Sequence, residues 1–315
     1  MKILVTGCAG FIGSHVSEAL LKRGDSIVGI DNINDYYSIQ QKENNLEILK
    51  EQKDFVFHKE DIRNYSGLKE IFEKEKPDKV IHLAARAGVR PSIEQPLLYE
   101  EVNVKGTFNL LDLAKDYKVK NFVFASSSSV YGNQKKIPFS ETDDVNNPIS
   151  PYAATKKTGE LICHTYHHLY NINVTCLRFF TVYGPRGRPD MAPYMFTESI
   201  LKGEPITRFG DGTTKRDYTY VSDIVQGVIA ANDKELEYEI INLGNNQPVM
   251  LNDFIQVIEN ATGKKAVIKE MPMQPGDVDI TYADITKANK LLGYKPTTSI
   301  EAGMKKFVEW YRKNC

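Results

Sequence analysis

Lys2–Gly13 reads KILVTGCAGFIG, and the fold of the chain is decided in this stretch. Its apolar run, ILV, is typical of a strand that is buried on both faces of a sheet. Three glycines, Gly7, Gly10 and Gly13, follow at a spacing of three residues and lead into a helix-compatible run. Glycines let the backbone approach a phosphate, and a helix N-terminus offers it unpaired N–H groups. The stretch therefore predicts a strand, a turn and a helix that bind a pyrophosphate.

A carboxylate follows the second apolar run at a distance that suits a dinucleotide. Asp31 lies 18 residues beyond Gly13 and comes directly after the run SIVGI. An acidic side chain at the tip of the second strand accepts hydrogen bonds from the adenosine ribose and repels a 2′-phosphate. Asn32, and not an arginine, comes next. We therefore expect NAD rather than NADP as the cofactor; glycines that serve only a tight turn are the alternative.

Further cofactor-binding candidates follow later predicted strands. Asp61 and Ile62 come after the apolar run FVF, where a carboxylate suits the adenine amino group, although a turn or capping role is almost as compatible with the sequence. Two small residues, Ala84 and Ala85, follow the run KVIHL and would let the backbone pack against the dinucleotide. The other predicted cofactor contacts are Phe11, Ile12, Leu83, Asn103 and Phe179.

Composition limits the classes of protein that the chain can represent. Its 315 residues are 41% hydrophobic and 26% charged, as in an ordinary globular protein. A net charge of −1 argues against a general nucleic-acid binder. No apolar run approaches the length of a membrane span, and the first strand begins at Lys2, which leaves no room for a signal peptide. We expect a cytoplasmic protein that binds no membrane.

Neither the cysteines nor the histidines form a metal-binding pattern. The four cysteines contain no CxxC pair, which favours free thiols in a reducing compartment. His164, His167 and His168 fall on one predicted helix, but no HExxH motif accompanies them. A half-exposed helix face is the simpler interpretation, and we predict no metal site.

Predicted strands and helices alternate from Lys2 to Arg178, which is typical of a doubly wound parallel sheet, the Rossmann form of the α/β class. Prolines and glycines then mark an irregular region, after which the helix–strand pattern returns. We therefore predict two interleaved domains: residues 1–178 with about 217–245 bind NAD, and residues 179–216 with about 246–315 form a smaller α/β substrate domain. A crevice between them, at the carboxyl ends of the strands, is where substrate and cofactor should meet.

Tyr152 and Lys156 lie four residues apart at the start of a predicted helix, so they share one face. A lysine ammonium near a phenol favours the phenolate and lowers the phenol pKa. Such a tyrosine can take a proton from a sugar hydroxyl while hydride leaves the same carbon for NAD. YxxxK pairs are common on helix surfaces, but here a dinucleotide-binding pattern precedes the pair and a serine cluster ends the preceding strand. We predict that this pair is catalytic.

These motifs together carry a family resemblance that extends over essentially the whole chain. In chain order they are Gly7-x-x-Gly10-x-x-Gly13, Ser127 with Val130-Tyr131-Gly132, Tyr152-x-x-x-Lys156 and Arg216-Asp217-Tyr218. The chain resembles the extended short-chain dehydrogenase/reductase family and, within it, the nucleotide-sugar (UDP-hexose) 4-epimerases. The stretches Phe179–Met191 and Gln274–Asp277 most resemble the UDP-glucuronate type. The resemblance implies an NAD-dependent isomerase that oxidises C4 to a ketone, lets the keto sugar rotate, and returns the hydride to the opposite face.

The resemblance also implies roles for the catalytic residues. Tyr152 is the base, Lys156 tunes its pKa and anchors a ribose, and Ser127 hydrogen-bonds the reacting C4 oxygen. The related 4,6-dehydratases carry an Asp–Glu pair directly after this serine or threonine, to eliminate water, whereas Ser128 and Ser129 occupy those positions here. Without that acid–base pair, the sequence favours epimerisation over dehydration.

A second group of residues matches the substrate-binding positions of the family. Arg216 corresponds to the diphosphate arginine, whose fork of donors suits a phosphate. Gln274 stands where glucose-type epimerases have an arginine. The implied substrate contacts are Ser127, Ser128, Tyr152, Thr181, Arg188, Met191, Thr207 and Phe209 beside the uracil, Arg216, Gln274, and Asp277 at the ribose.

The sequence leaves the identity of the sugar open. The resemblance implies that Thr181 and Arg188 could bind a C6 carboxylate, as in UDP-glucuronate 4-epimerases. However, Arg186 and Arg86 stand where many of those enzymes have tryptophan and glutamine. Thr281 occupies a position that is a bulky tyrosine in some glucose-only epimerases, and it would leave room for a 2-acetamido group. UDP-glucuronate and UDP-N-acetylglucosamine therefore stand level, with UDP-glucose next.

Two other functions fit the same scaffold. One is a UDP-glucuronate decarboxylase or another oxidoreductase, which product analysis separates because an epimerase releases no CO2 and no net NADH. The other is a non-catalytic NAD-sensing protein, which the presence of both Tyr152 and Lys156 disfavours. The resemblance also implies a homodimer that pairs the predicted helices 102–116 and 152–170.

Overall fold

Strands alternate with helices along the first half of the chain in the computed structural model, which describes residues 1–272 and 279–315. The strands are β1 (Lys2–Thr6), β2 (Ser26–Asp31), β3 (Phe55–Lys59), β4 (Lys79–His82), β5 (Asn121–Ser127), β6 (Asn173–Phe179), β7 (Thr181–Tyr183), β8 (Pro205–Phe209), β9 (Lys215–Tyr220), β10 (Tyr238–Leu243), β11 (Pro248–Met250), β12 (Val267–Met271) and β13 (Ile280–Thr281). The helices are α1 (Phe11–Arg23), α2 (Ile39–Lys50), α3 (Tyr65–Glu75), α4 (Val89–Glu94), α5 (Pro96–Glu100), α6 (Gly106–Asp116), α7 (Pro151–Tyr170), α8 (Ala192–Lys202), α9 (Val221–Asp233), α10 (Leu251–Thr262), α11 (Thr286–Leu292) and α12 (Ile300–Asn314). A π-helical turn, Glu101–Lys105, precedes α6, and a 3-10 turn, Ser128–Tyr131, follows β5.

A parallel sheet of seven strands, ordered β10-β6-β5-β4-β1-β2-β3, forms the centre of the fold. The strand order reverses between β1 and β4, and loops that leave such a switch point diverge to form a crevice outside the carboxyl ends of the strands. The glycine turn after β1, the residues after β4 and the serines that end β5 therefore meet at one edge. The predicted α/β class and doubly wound parallel sheet are confirmed.

Both faces of this sheet are covered, which explains the continuous apolar run of β1. Ile3 and Val5 belong to one hydrophobic cluster with residues of α1 and α9, whereas Leu4 belongs to another with residues of α3, α6 and α7. All three side chains are fully buried. A strand with one face in solvent would alternate polar and apolar residues instead.

The residues beyond β6 build two small sheets beside the main one. β9 pairs with β7, β11 and β13, while β8 pairs with β12. The chain returns to the main sheet through α9 and β10, which pairs with β6. Interleaved domains predict this pattern, although the domain boundaries themselves stay a prediction. No helix within residues 1–272 and 279–315 is long and apolar enough to cross a membrane.

Candidate active site

The turn between β1 and α1 is shaped by its glycines. Gly7 has a φ of +71°, which favours glycine, and a Cβ built there would lie 2.9 Å from the Ala84 backbone nitrogen. A Cβ on Gly13 would lie 2.0 Å from the Gly7 carbonyl oxygen, so the helix can approach the turn only without a side chain. α1 begins at Phe11 with no side-chain cap and no acidic residue in its first turn. Its first N–H groups are therefore suited to an anion.

A tyrosine hydroxyl that sequence reasoning missed lies near the same turn. The Tyr37 hydroxyl is buried, and its proton has no acceptor in the described part of the chain. It lies 3.7 Å from the position of a Cβ built on Gly10. A buried hydroxyl of this kind is unfavourable unless a bound group completes its hydrogen bonding. Together with the uncapped end of α1, this orphaned donor fits the pyrophosphate of NAD; the signal in the sequence was a tyrosine pair in an otherwise polar loop.

Asp31 ends β2 with its carboxylate fixed in place. One oxygen accepts a hydrogen bond from the Ala9 N–H at 3.1 Å, and the other accepts one from the Ile33 N–H at 2.9 Å. Burial raises the pKa of this carboxyl, although the two bonds and the charge of Lys42 act against the rise. The carboxylate is thus held at the strand tip, where the sequence predicts the adenosine ribose.

Asp61, the predicted adenine contact, closes a turn with Arg63, and its role toward adenine stays a prediction. Its carboxylate accepts hydrogen bonds from the Arg63 N–H at 2.9 Å, from the Arg63 guanidinium, and from Asn32 Nδ2 at 2.9 Å. Burial would raise the pKa of Asp61, but the bonds from Arg63 and Asn32 bring it down to about 2. The buried Ile62 side chain lies against Gly106 at the start of α6. Asn32, Asp61 and Ile62 therefore lie together beside the tip of β2.

The π-helical turn before α6 uses Asn103 to hold the residues that follow β4. Asn103 Oδ1 accepts a hydrogen bond from the Arg86 N–H at 2.8 Å, and Nδ2 donates to the Arg86 carbonyl at 2.9 Å. The same Nδ2 donates to the Thr155 hydroxyl on α7 at 3.1 Å. π-Turns of this kind are frequent at functional sites. The network places Leu83, Ala84 and Ala85, which directly precede Arg86, next to the start of α7.

The predicted catalytic residues meet at the N-terminus of α7. Ser150 caps this helix, and Tyr152 lies in its first turn. Ser127 ends β5 and hydrogen-bonds the Tyr152 phenol. Lys156, one turn further along α7, donates its ammonium to the Ala125 carbonyl of β5 at 2.8 Å. Ser127, Tyr152 and Lys156 thus come together at the carboxyl edge of the main sheet, where Phe179 ends β6 opposite Ser127.

The pKa of the tyrosine differs from what its spacing to the lysine predicts. Burial raises the pKa of the Tyr152 phenol, and the groups that oppose this are the Ser127 hydrogen bond and the positive charge of Arg188. The Lys156 ammonium donates instead to a strand carbonyl, that of Ala125. Burial also lowers the pKa of Lys156 to about 8. Arg188 is thus a further positive charge that acts on Tyr152, and the tuning role of Lys156 stays a prediction.

A buried ion pair fixes α7 against the sheet behind these residues. Arg178 of β6 donates to Glu160 of α7 through Nε at 2.8 Å and Nη2 at 2.9 Å. The Ser126 hydroxyl of β5 also donates to Glu160, at 2.6 Å. The side chains of Arg178 and Glu160 are 1% and 0% exposed. Because the cluster joins β5, β6 and α7, it sets the distance between Ser127 and Tyr152; sequence reasoning did not identify it.

The loop of residues 184–191, after β7, is attached to α1 and α2. His15 of α1 hydrogen-bonds a carbonyl of this loop at 2.9 Å. Arg186 forms an ion pair with Glu18 of α1 at 2.5 Å. Gln41 of α2 donates to the Arg186 carbonyl at 2.8 Å. The arginine that replaces a tryptophan of many UDP-glucuronate enzymes therefore contacts α1.

Arg188 lies in the same loop, close enough to Tyr152 to lower the phenol pKa. Its Nε and Nη2 atoms donate to Asp190 at 2.9 and 2.5 Å, and Nη2 also donates to the Tyr36 hydroxyl at 3.3 Å. The guanidinium carbons of Arg188 and Arg86 each lie 5.4 Å from the Tyr36 ring centroid. Two arginines and one carboxylate thus surround Tyr36 near Tyr152.

A cavity of about 580 Å³ opens among β7, β8, β9 and α8, and several predicted substrate contacts line it. These are Thr181, Met191, Thr207, Phe209 and Arg216. Arg90 of α4 also lines the cavity, and its guanidinium carbon lies 5.8 Å from the Phe209 ring centroid; sequence reasoning missed it. Ser128 lies in the 3-10 turn after β5, apart from this lining. The predicted contacts Gln274 and Asp277 lie outside the described residues.

A glycine turn for a dinucleotide and a Tyr–Lys pair at the carboxyl edge of a doubly wound sheet define a short-chain dehydrogenase/reductase site. Residues 4–307 match the family model described as GDP-mannose 4,6 dehydratase. The chain is 50% identical to a UDP-glucuronate 4-epimerase of Thermodesulfobacterium geofontis, over 99% of this chain and 96% of the relative. It is 46% identical to UDP-glucuronate 4-epimerase 4 of Arabidopsis thaliana, over 98% of this chain and 75% of the relative.

Solved structures of nucleotide-sugar 4-epimerases are also similar to this chain. UDP-glucuronic acid 4-epimerase from Bacillus cereus, in complex with UDP-glucuronic acid and NAD, is 40% identical and matches with a TM-score of 0.93 over 99% of both chains. UDP-N-acetylglucosamine 4-epimerase from Methanobrevibacter ruminantium is 29% identical, with a TM-score of 0.91 over 100% of this chain and 99% of that one. The chain therefore belongs to the extended short-chain dehydrogenase/reductase family. Within this family it belongs to the NAD-dependent nucleotide-sugar 4-epimerases.

These findings confirm the predicted family, the isomerase class and the NAD cofactor. The glycine turn and the orphaned Tyr37 hydroxyl fit that cofactor. The roles of the individual site residues, the homodimer and the cytoplasmic location stay predictions.

Proposed function

We propose that the chain inverts C4 of UDP-glucuronate in an NAD-dependent reaction. The observation that carries the choice of sugar is Arg188, whose charge acts on the Tyr152 phenol. A sugar whose C4 hydroxyl faces Tyr152 would bring a C6 carboxylate within reach of this guanidinium, which suits a carboxylate. Thr181, which lines the cavity, adds a hydroxyl donor. The UDP-glucuronate 4-epimerases among the relatives support the same choice.

In this proposal Tyr152 takes the proton of the C4 hydroxyl. Bound NAD supplies the acceptor for the C4 hydride and the donor that returns it. The Ser127 hydroxyl accepts a hydrogen bond from the Ser129 N–H at 3.1 Å, so its own proton is left to donate to the phenol or to the C4 oxygen. The charge of Arg188 favours the phenolate form of Tyr152. A placed base of this kind contributes about 10²–10⁴ in rate.

Lys156 has a positioning role in the same proposal. An ammonium carries three N–H donors, and the Ala125 carbonyl takes one of them at 2.8 Å. The other two suit the hydroxyls of a ribose. The Ala125 bond fixes the ammonium against β5, so that the lysine can hold a ribose in one place relative to Tyr152.

The UDP moiety would lie in the cavity beyond the loop of residues 184–191. Thr207 and Phe209 of β8 offer a hydroxyl and a ring for the uracil. Arg216 lines the cavity from β9, and in the described part of the chain its hydrogen bonds all use Nη1. The Nε and Nη2 donors of Arg216 are therefore suited to a phosphate.

Dehydration of the sugar is disfavoured, although the matching family model is named for a dehydratase. Eliminating water needs an acid and a base beside C5 and C6. Ser128 and Ser129 follow Ser127 in the 3-10 turn, and neither side chain can serve as a carboxylate. Epimerisation needs no group beyond the proposed Tyr152 base and the cofactor.

Product analysis by proton NMR tests the proposal. The purified protein is incubated separately with UDP-glucuronate, UDP-N-acetylglucosamine and UDP-glucose. We expect UDP-glucuronate to give its C4 epimer most rapidly, with no CO2 and no net NADH. Release of CO2 would identify a decarboxylase instead, and faster turnover of UDP-N-acetylglucosamine would assign the other sugar that the sequence favours.

A variant of the carboxylate-binding arginine tests the choice of sugar directly. Arg188→Met should lower kcat/KM for UDP-glucuronate by at least 10-fold more than for UDP-glucose, because UDP-glucose has no C6 carboxylate for Arg188 to bind. Arg186→Met is the matched control, because it removes an arginine two positions away that faces α1. Equal losses on both sugars in the Arg188 variant would contradict the assignment.

A further inference from the structure

Asp190 already occupies the face of Arg188 that a substrate carboxylate would use. A carboxylate binds a guanidinium best through two parallel N–H bonds. Asp190 forms such a pair, with Nε to Oδ1 at 2.9 Å and Nη2 to Oδ2 at 2.5 Å. Within residues 1–272 and 279–315, no acceptor hydrogen-bonds Nη1 of Arg188. An acidic sugar would therefore meet an arginine whose bidentate face carries a carboxylate of the chain itself.

Few other contacts hold the Asp190 carboxylate. Apart from Arg188, its hydrogen-bond partner among the described residues is the Tyr36 hydroxyl, at 3.4 Å. The Asp190 side chain is 43% exposed, whereas that of Arg188 is 20% exposed. Asp190 can therefore exchange its partner for water without leaving a buried group unsatisfied. Arg188, which is deeper in the structure, keeps its place near Tyr152 during the exchange.

Among the groups around Arg188, Asp190 is the one that would repel the carboxylate of an acidic sugar. Asp190 hydrogen-bonds the guanidinium, and the Tyr36 and Tyr152 hydroxyls lie near it. The two tyrosines are phenols, and Arg86, beside the same Tyr36 ring, carries a positive charge that attracts an acidic sugar. Asp190 contributes the fixed negative charge at this corner.

We propose that Asp190 is a specificity residue, whose carboxylate competes with the C6 carboxylate of an acidic UDP-sugar for Arg188 and compensates Arg188 when a neutral UDP-sugar binds. The inference rests on the proposed function, because it needs Arg188 to be the carboxylate-binding group. Two carboxylates at one guanidinium repel each other, so Asp190 weakens the binding of UDP-glucuronate. A neutral sugar meets no such repulsion. Asp190 therefore narrows the preference for acidic over neutral sugars, which is a difference between two affinities.

The variant Asp190→Asn removes the charge and keeps an oxygen that can accept from Arg188. Calorimetric titration of the NAD-loaded protein gives Kd for UDP-glucuronate and for UDP-glucose. We expect the ratio of the UDP-glucose Kd to the UDP-glucuronate Kd to rise about 2- to 5-fold, the scale of one exposed ion pair. The rise should shrink at high salt, which screens exposed charges. In turnover assays, the Asp190→Asn variant should have a lower KM for UDP-glucuronate and an unchanged kcat.

Two further variants separate charge from structure. Glu18→Gln removes the carboxylate that anchors the same loop through Arg186, and it should keep the wild-type ratio. Asp190→Glu keeps the negative charge and should leave the ratio of the two Kd values close to that of the wild type. An unchanged or smaller ratio in Asp190→Asn, in a protein that melts like the wild type, would overturn the inference. If that variant does not fold, Asp190→Ser is measured in its place.

Failure of the proposed function would look different from failure of this inference. The wild-type protein would then show no preference for UDP-glucuronate over UDP-glucose, and Arg188→Met would leave both Kd values unchanged. The proposed role of Asp190 would then be wrong as well. If only the Asp190 variants fail to shift the ratio, the assignment of Arg188 to the sugar carboxylate still stands.

Discussion

Replacing Glu160 with glutamine should destabilise the protein by about 3–5 kcal/mol, because it leaves a buried arginine without its counter-ion. The substitution keeps the shape of the side chain but removes its charge. Arg178 is 1% exposed, and its Nη1 atom is already buried with no hydrogen-bond partner among the described residues. Its guanidinium carbon lies 4.8 Å from the Tyr131 ring centroid, a contact too weak to replace an ion pair.

The pH dependence of stability gives this prediction a second readout. Burial would raise the pKa of Glu160, but the bonds and charge of Arg178 hold it below its ordinary value of 4.5. A carboxyl with a depressed folded-state pKa stabilises the fold above its unfolded pKa, and that stability is lost as the pH falls through the folded value. Wild-type stability should therefore decline below pH 4.5, and Glu160→Gln should flatten this part of the curve.

Urea unfolding at several pH values measures both effects. Glu198→Gln serves as the control, since it breaks an exposed pair with Lys202, whose side chain is 54% exposed. We expect that control to lose less than about 1 kcal/mol. If Glu160→Gln loses no more stability than Glu198→Gln, the reasoning is refuted. The same holds if its stability falls below pH 4.5 as steeply as that of the wild type. Turnover should fall with stability, because the pair sets the position of Tyr152 relative to Ser127.

Two further variants test the chemistry and the cofactor turn. Tyr152→Phe removes the phenol but not the packed ring, so turnover should drop by roughly 10²–10⁴-fold while the melting temperature and the NAD content after acid release stay unchanged; full turnover would contradict the base assignment. Gly13→Ala places a Cβ 2.0 Å from the Gly7 carbonyl oxygen and should abolish NAD retention, whereas Gly10→Ala, at 3.1 Å, should retain more NAD. Equal retention in the two alanine variants would argue against the turn as the pyrophosphate site.

The sequence predicts the parts of this molecule whose signals are local. The run ILV before Gly7 identifies a strand covered on both faces, and the structure buries all three residues. The four-residue spacing of Tyr152 and Lys156 places them on one face of α7 because a helix repeats every 3.6 residues. Both features depend on neighbours in the chain, so no knowledge of tertiary packing is needed to read them.

Contacts between distant segments could not be read in this way. The strand Lys215–Tyr220 carries three charged residues and pairs with segments near residues 181, 249 and 280, so its sequence shows no clear strand pattern. The charge of Arg188 acts on Tyr152 across 36 residues of chain, and only the folded loop brings them together. The short helices Val89–Glu94 and Pro96–Glu100 were missed because they are too brief for a helical period to emerge.

The attachment of the 184–191 loop to α1 and α2 has a consequence for protein engineering. His15, Glu18 and Gln41 belong to helices that follow the first two strands, yet they hold the loop that carries Arg188. A chimera that receives this loop with tryptophan at position 186 would lose the Arg186–Glu18 ion pair and leave Glu18 with Lys22 of its own helix. Exchanging position 186 alone should therefore lower the stability of the chimera, so positions 18 and 186 have to be exchanged together.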